Sequence, residues 1–197
     1  MLEEFQRIGR DLFLSGITSS HGGNMSVRLG DRIIITRRGS QLGQLGAEDL
    51  IETGLYEDDS QIMLASSEVP VHRAIYLDTA ALAIIHAHPR AAIALSLLED
   101  EIVPVDTEGS YLLHKVPVVS SEIASGPQLA EIVSASLKQY KIIMVRGHGC
   151  FATGQLLEEA YQWVSCLDES SLVIYYVRTL GGQIKEYRRM ANQYRKW

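Results

Sequence analysis

The stretch Ala81-Leu82-Ala83-Ile84-Ile85-His86-Ala87-His88-Pro89 decides the fold. Its apolar run reads as a buried strand over 81–87. Pro89 cannot continue the pairing and suits the first turn of a following helix. Side chains two apart in a strand share a face, so His86 and His88 point the same way at the strand's end. Both imidazoles can then reach one metal ion. The ordinary alternative is two unrelated histidines, one of them in the core.

Working outward, extended and helical patterns alternate. Apolar residues at Leu2, Phe5, Ile8, Leu12 and Phe13 carry helical spacing over 2–15, stopped by Gly16. Residues 24–36 read as two strands joined at Gly30-Asp31, and a second pair of short strands is expected around Gly54 and Asp58-Asp59. Helices are predicted over 70–77, 127–137 and 158–180, the last closed by Gly181-Gly182. Short strands are predicted over 116–119 and 141–145. Hairpins come early and helices interleave later. A layered α/β architecture with a mixed or mainly antiparallel sheet fits this order better than a strict βαβ repeat.

The chain of 197 residues fits one domain over 1–197. Its 18 basic and 24 acidic side chains give a formal charge of −6, a poor balance for a nucleic-acid binder. No apolar run approaches the roughly 18 residues of a membrane span. The start, Met1-Leu2-Glu3-Glu4, lacks the basic-then-apolar order of a signal peptide. Cys150 and Cys166 are too few for a secreted disulfide framework, so a reduced, cytoplasmic protein is expected.

Four further segments could carry chemistry. Arg146-Gly147-His148-Gly149 follows a predicted buried strand, and its glycines would leave the imidazole open. Three histidines at the ends of two strands suit zinc, which takes three protein ligands in catalytic sites. Ser66-Ser67-Glu68 leads into a helix; Glu68 is either a helix cap or an acid/base group beside the metal. Gly22-Gly23-Asn24-Met25-Ser26 could present backbone N–H groups to a phosphate, or be an ordinary turn. Thr36-Arg37-Arg38-Gly39-Ser40 could form an anion pocket, or be a solvated basic turn.

In order and spacing these motifs resemble the class II aldolase/adducin superfamily, and within it the L-fuculose-1-phosphate aldolase branch. Eighteen residues separate Glu68 from His86, and 60 separate His88 from His148. The resemblance runs from about Asp11 to about Thr179. It implies a single-domain layered α/β/α fold with a mainly antiparallel central sheet. It also implies a homotetramer with active sites at subunit interfaces and one zinc ion (Zn2+) per subunit. His86, His88 and His148 would be the metal ligands and Glu68 the catalytic acid/base. Asn24, Gly39, Ser66 and Ser67 would hold the phosphate of a small sugar phosphate. The implied reaction is aldol cleavage of a ketose 1-phosphate to dihydroxyacetone phosphate and an aldehyde. An epimerase, dehydratase or decarboxylase on the same scaffold, or a metal-free adducin-like module, are the alternatives. Related epimerases usually carry Asp where this chain has Glu68, and adducin-like members lose zinc-site histidines that are all present here.

Three departures stand out. Relatives often have Thr-Pro-Ser/Thr-Gly where this chain has Thr36-Arg37-Arg38-Gly39, so Arg38 is expected to contact the substrate's anionic end. The family's proton-donating tyrosine aligns without gaps on Thr107, leaving nearby Tyr111 to substitute. The tail that closes over the site in relatives is short and basic here, Tyr194-Arg195-Lys196-Trp197, with Tyr194 as a second candidate donor.

Overall fold

The computed structural model describes residues 1–123 and 125–188. Tyr194 and the basic end of the tail lie outside the described residues.

Among the described residues, eight strands form one sheet: β1 (Asn24–Leu29), β2 (Arg32–Thr36), β3 (Leu50–Gly54), β4 (Ala83–Ala87), β5 (Glu101–Ile102), β6 (Val116–Val119), β7 (Ile142–Val145) and β8 (Gly149–Gly154). Their order is β3-β2-β1-β4-β8-β7-β6-β5. Every pairing is antiparallel except β6 with β7. Six helices cover the sheet: α1 (Leu2–Leu14), α2 (Val69–Asp78), α3 (Arg90–Ser96), α4 (Thr107–Leu112), α5 (Pro127–Leu137) and α6 (Leu157–Leu180).

The layers follow from alternation along the strands. Ile85, Ala87, Met144, Cys150 and Ala152 face one core with Phe5, Ile8 and Leu12 of α1, Leu95 of α3 and Leu157 and Val164 of α6. Ile33, Ile35, Ile84, Ile143 and Phe151 face the other core with Ile75 of α2 and Val133 of α5. A sheet whose strands are apolar on both faces must be covered on both, which gives the α/β/α sandwich.

The β1–β2 hairpin turns at Gly30-Asp31 as expected, with Gly30 at a φ of 61°. Such two-residue turns need left-handed backbone, which glycine supplies without steric cost. Only one strand, β3, forms near Gly54. Residues 55–64 run through bends, irregular chain and a turn, and Arg73 of α2 gathers their first part by bonding the carbonyls of Gly54 and Glu57 and the carboxylate of Asp58. The apolar residues Leu113 and Val116 are fully buried, and the strand expected over 116–119 forms. Here α4 ends at Leu112, and Val116 opens β6. Strand β8 is an addition to the predicted elements.

Candidate metal centre

His86 and His88 stand at the end of β4, as the alternation of that strand requires. His148 comes from the turn between β7 and β8, where Gly147 takes a φ of 67°. The register sets Cys150 beside Ala87 and Phe151 beside His86, so the β7–β8 hairpin delivers His148 to the strand end that carries the other two. Gly149 makes the approach possible. A Cβ there would fall 2.5 Å from His88 Cδ2, 2.5 Å from the Ala87 carbonyl and 3.0 Å from His86 Cε1.

One nitrogen from each of the three imidazoles lies within 4.8 Å of the others. The Nδ1 of His86 is 2.9 Å from the Cys150 carbonyl. A carbonyl only accepts, so Nδ1 carries the proton and Nε2 presents a lone pair. That Nε2 is 2.9 Å from His88 Nε2, a separation that needs a proton or a cation between them. Two nitrogens at zinc-bond length and a tetrahedral angle stand about 3.3 Å apart, close to this spacing. Burial first, and then the mutual repulsion of the imidazolium forms, hold His86 well below the usual histidine range. The same causes bring His88 down to about 4, and burial lowers His148. All three are neutral at pH 7, the form that binds metal. The ring of His86 stacks on Phe151 at 4.2 Å and so is fixed from behind. Donor type, neutrality and convergence fit a divalent metal of the zinc kind.

Glu68 occupies the N-cap position of α2 but makes no capping bond. Its carboxylate instead accepts from Asn24 Nδ2 at 2.7 Å. It lies 3.5 Å from His86 Nε2 and 3.7 Å from His148 Nε2, too far for hydrogen bonds and beside the metal-binding face. Glu68 is 6% exposed. Burial raises it to about 7, against the opposing pull of the Asn24 bond.

Asn24, Arg37, Arg38, Gly39, Ser66, Ser67, Glu68, His86, His88 and His148 line one cleft of about 180 Å³. Two loops build its far end. The Arg38 N–H donates to the Leu64 carbonyl at 2.8 Å, and the Ser66 N–H to that of Thr36 at 3.2 Å. Arg37 and Arg38 divide in use. Arg37 donates twice to Asp49 Oδ1, at 2.9 and 2.7 Å. The Arg38 guanidinium is exposed and has no side-chain partner among the described residues. Tyr111 is absent from this lining and is 55% exposed on α4. The sequence reading missed His21, which also lines the cleft. Its place three residues before Asn24, on the glycine loop, was the available signal. A larger cavity of about 580 Å³ between α4 and α6 contains no histidine and lies apart from these groups.

A family model described as Class II Aldolase and Adducin N-terminal domain matches residues 3–175. The chain is 32% identical over 172 residues to the L-fuculose phosphate aldolase of Methanocaldococcus jannaschii, covering 86% of this chain and 92% of that one. It is 31% identical over 179 residues to the 3-oxo-tetronate 4-phosphate decarboxylase of Pectobacterium atrosepticum, covering 87% and 82%. The crystal structure of L-fuculose-1-phosphate aldolase from Thermus thermophilus matches with a TM-score of 0.87 and 36% identity, over 94% of this chain and 98% of that one. On this match of sequence and fold, the chain belongs to the class II aldolase and adducin family, as an enzyme of the lyase kind.

Proposed function

We propose that the chain is a zinc-dependent aldolase. Its substrate is a ketose 1-phosphate of the L-fuculose 1-phosphate kind, cleaved reversibly to dihydroxyacetone phosphate and an aldehyde such as lactaldehyde. One observation carries the reading: the buried Glu68 carboxyl, raised to about 7, stands 3.5 and 3.7 Å from two imidazoles of a neutral three-histidine cluster. His86, His88 and His148 would hold one zinc ion per subunit, which when bound supplies Lewis acidity toward the C2 carbonyl.

In cleavage the C4 hydroxyl loses its proton and the C3–C4 bond breaks. C4 leaves as the aldehyde, and the bonding pair passes to C3 and the adjoining carbonyl. Glu68 gives C3 its proton; in synthesis it removes that proton. A carboxyl poised near neutrality can do both. Gly39, Ser66, Ser67 and Arg38 would hold the phosphate at the far end of the cleft, with Asn24 on its side nearer the histidines. Tyr111 is the candidate proton donor to the aldehyde oxygen in the synthetic direction, with Tyr194 as the second candidate. From its exposed helix Tyr111 would serve a neighbouring subunit, consistent with a homotetramer. The free, buried Cys150 and Cys166 suit a cytoplasmic enzyme of carbohydrate metabolism.

A second reading, decarboxylation of a 3-oxo acid phosphate, is favoured by the similarity to the 3-oxo-tetronate 4-phosphate decarboxylase. Loss of carbon dioxide leaves the same kind of carbanion beside a carbonyl, so one site can serve either bond. Product analysis separates them. Zinc-loaded protein given a panel of ketose 1-phosphates should release dihydroxyacetone phosphate and a trappable aldehyde. Release of carbon dioxide from 3-oxo acid phosphates, with no aldehyde from any ketose 1-phosphate, would establish the second reading and sink the first.

A further inference from the structure

Behind the cleft, a row of buried polar side chains joins α2 to β1. Glu68, His72 and Tyr76 follow each other at four-residue steps and so share one face of the helix. Asn24 and Ser26 are two apart and share one face of the strand. Ser26 Oγ is 2.7 Å from His72 Nδ1 and 2.7 Å from the Tyr76 hydroxyl. Asn24 Nδ2 is 2.7 Å from Glu68. The row therefore has two rungs, Asn24–Glu68 at the site and Ser26–His72–Tyr76 behind it. The strand that carries both rungs also pairs with the ligand strand, Asn24 opposite His86 and Ser26 opposite Ile84.

Packing alone gives no reason for the rear rung. His72 is fully buried, and its Nε2 has no partner among the described residues. A buried polar group left partly unsatisfied costs stability that an apolar residue of the same shape would not. A geometric requirement does give a reason. Glu68 makes no capping bond, so nothing within α2 fixes its side chain. Apolar contacts to the core tolerate small rotations of the helix, whereas short hydrogen bonds are directional. With side-chain ends about 5–6 Å from a helix axis, a turn of about 10° moves a carboxylate by about 1 Å. A misplacement of that size can cost roughly 100-fold in rate.

We propose that Ser26 and His72 are positioning residues: by fixing the rotation of α2 against β1, they hold the Glu68 carboxylate at the three histidines. The inference rests on Glu68 being the proton-transferring group. Three variants test it in the zinc-loaded protein: His72→Phe, which keeps the bulk but removes the bond to Ser26; His72→Asn, whose amide can replace Nδ1; and the milder Ser26→Ala. Zinc content should stay at the wild-type level in all three. In His72→Phe and Ser26→Ala, kcat should fall roughly 10- to 100-fold with KM changed less than about twofold. His72→Asn should recover most of kcat. Lowered thermal stability with unchanged kcat, or His72→Asn no better than His72→Phe, would overturn the proposal. Crystal structures of zinc-loaded wild type and Ser26→Ala provide an arm that needs no substrate. Glu68 should leave Asn24 in the variant; an unmoved carboxylate would overturn the proposal even if wild type cleaves no ketose phosphate, a result that would count against the proposed function alone.

Discussion

At Glu68 two effects oppose each other, and burial wins. The Asn24 bond favours the carboxylate, but removal from water brings the group to about 7, where it can both give and take a proton. The sequence offered two roles for this residue, helix cap or acid/base. It occupies the cap position, while its side chain turns to Asn24 and the histidines. At Arg37 and Arg38 the sequence shows two equal cations, and only tertiary structure separates them. Asp49, 12 residues from Arg37, neutralises it and fixes the turn, leaving Arg38 open on the cleft. Replacing Arg38 with Ala should therefore weaken binding of the phosphorylated substrate by about 1.5–3 kcal/mol, the range for hydrogen bonds to a charged group. Steady-state kinetics would show this as a raised KM at unchanged zinc content. Equal kinetics in variant and wild type would make Arg38 a turn residue only.

At the scale of elements, the β7–β8 hairpin controls the metal centre. Strand β4 was legible because its apolar run is long and ends at a proline. Strand β8 was not: Gly149-Cys150-Phe151-Ala152-Thr153-Gly154 is bounded by glycines and holds one large apolar residue. It forms a strand because β4 and β7 pair with both its edges. The turn histidine could be read; the strand that orients it could not. The expected strand pair near Gly54 failed for the converse reason, since Arg73 reaches from another element and its bonds to Glu57 and Asp58 hold that stretch out of a strand. Gly149→Ala tests the hairpin's fit. The added methyl would press on His88 and on the Ala87 carbonyl, so we expect a loss of about 1–3 kcal/mol, the range for overpacking, together with weaker zinc binding. Urea unfolding of the metal-free protein and a competitive zinc titration measure the two effects. Wild-type values in both would show that the glycine is dispensable.

At the scale of the whole molecule, the order of motifs along the chain made the family legible, and alternation within the strands made the two-faced sheet legible. Tyr111 could not be placed by sequence, and within one chain it lies off the cleft. The proposed homotetramer would give it a site to serve, and sedimentation equilibrium at micromolar concentration should return four chains; a monomer would contradict that assembly. Burial of histidines also makes the metal-free fold acid-sensitive. In the unfolded chain they take protons near 6.5, while in the fold His88 waits until about 4 and His72 until about 3. Between those limits the unfolded state binds more protons, so stability falls as pH falls. Glu68 runs the other way between 7 and 4.5, by one proton against up to three from His72, His86 and His88. The unfolding free energy of metal-free protein, from urea titrations, should thus drop from pH 6.5 to 4.5, by about 1.4 kcal/mol per pH unit for each unmatched proton, and more steeply below 4.5; a flat profile would contradict the buried, neutral cluster. The central claim is that three histidines and Glu68 form one zinc-dependent centre for carbon–carbon cleavage. Titrating zinc into chelator-stripped wild type and Glu68→Gln, while measuring release of dihydroxyacetone phosphate from its ketose 1-phosphate, tests it most directly. The account predicts that both proteins take up one zinc per chain, that wild-type activity rises with occupancy, and that the variant stays at least roughly 100-fold slower. Metal-independent release by wild type, or full activity in Glu68→Gln, would contradict it.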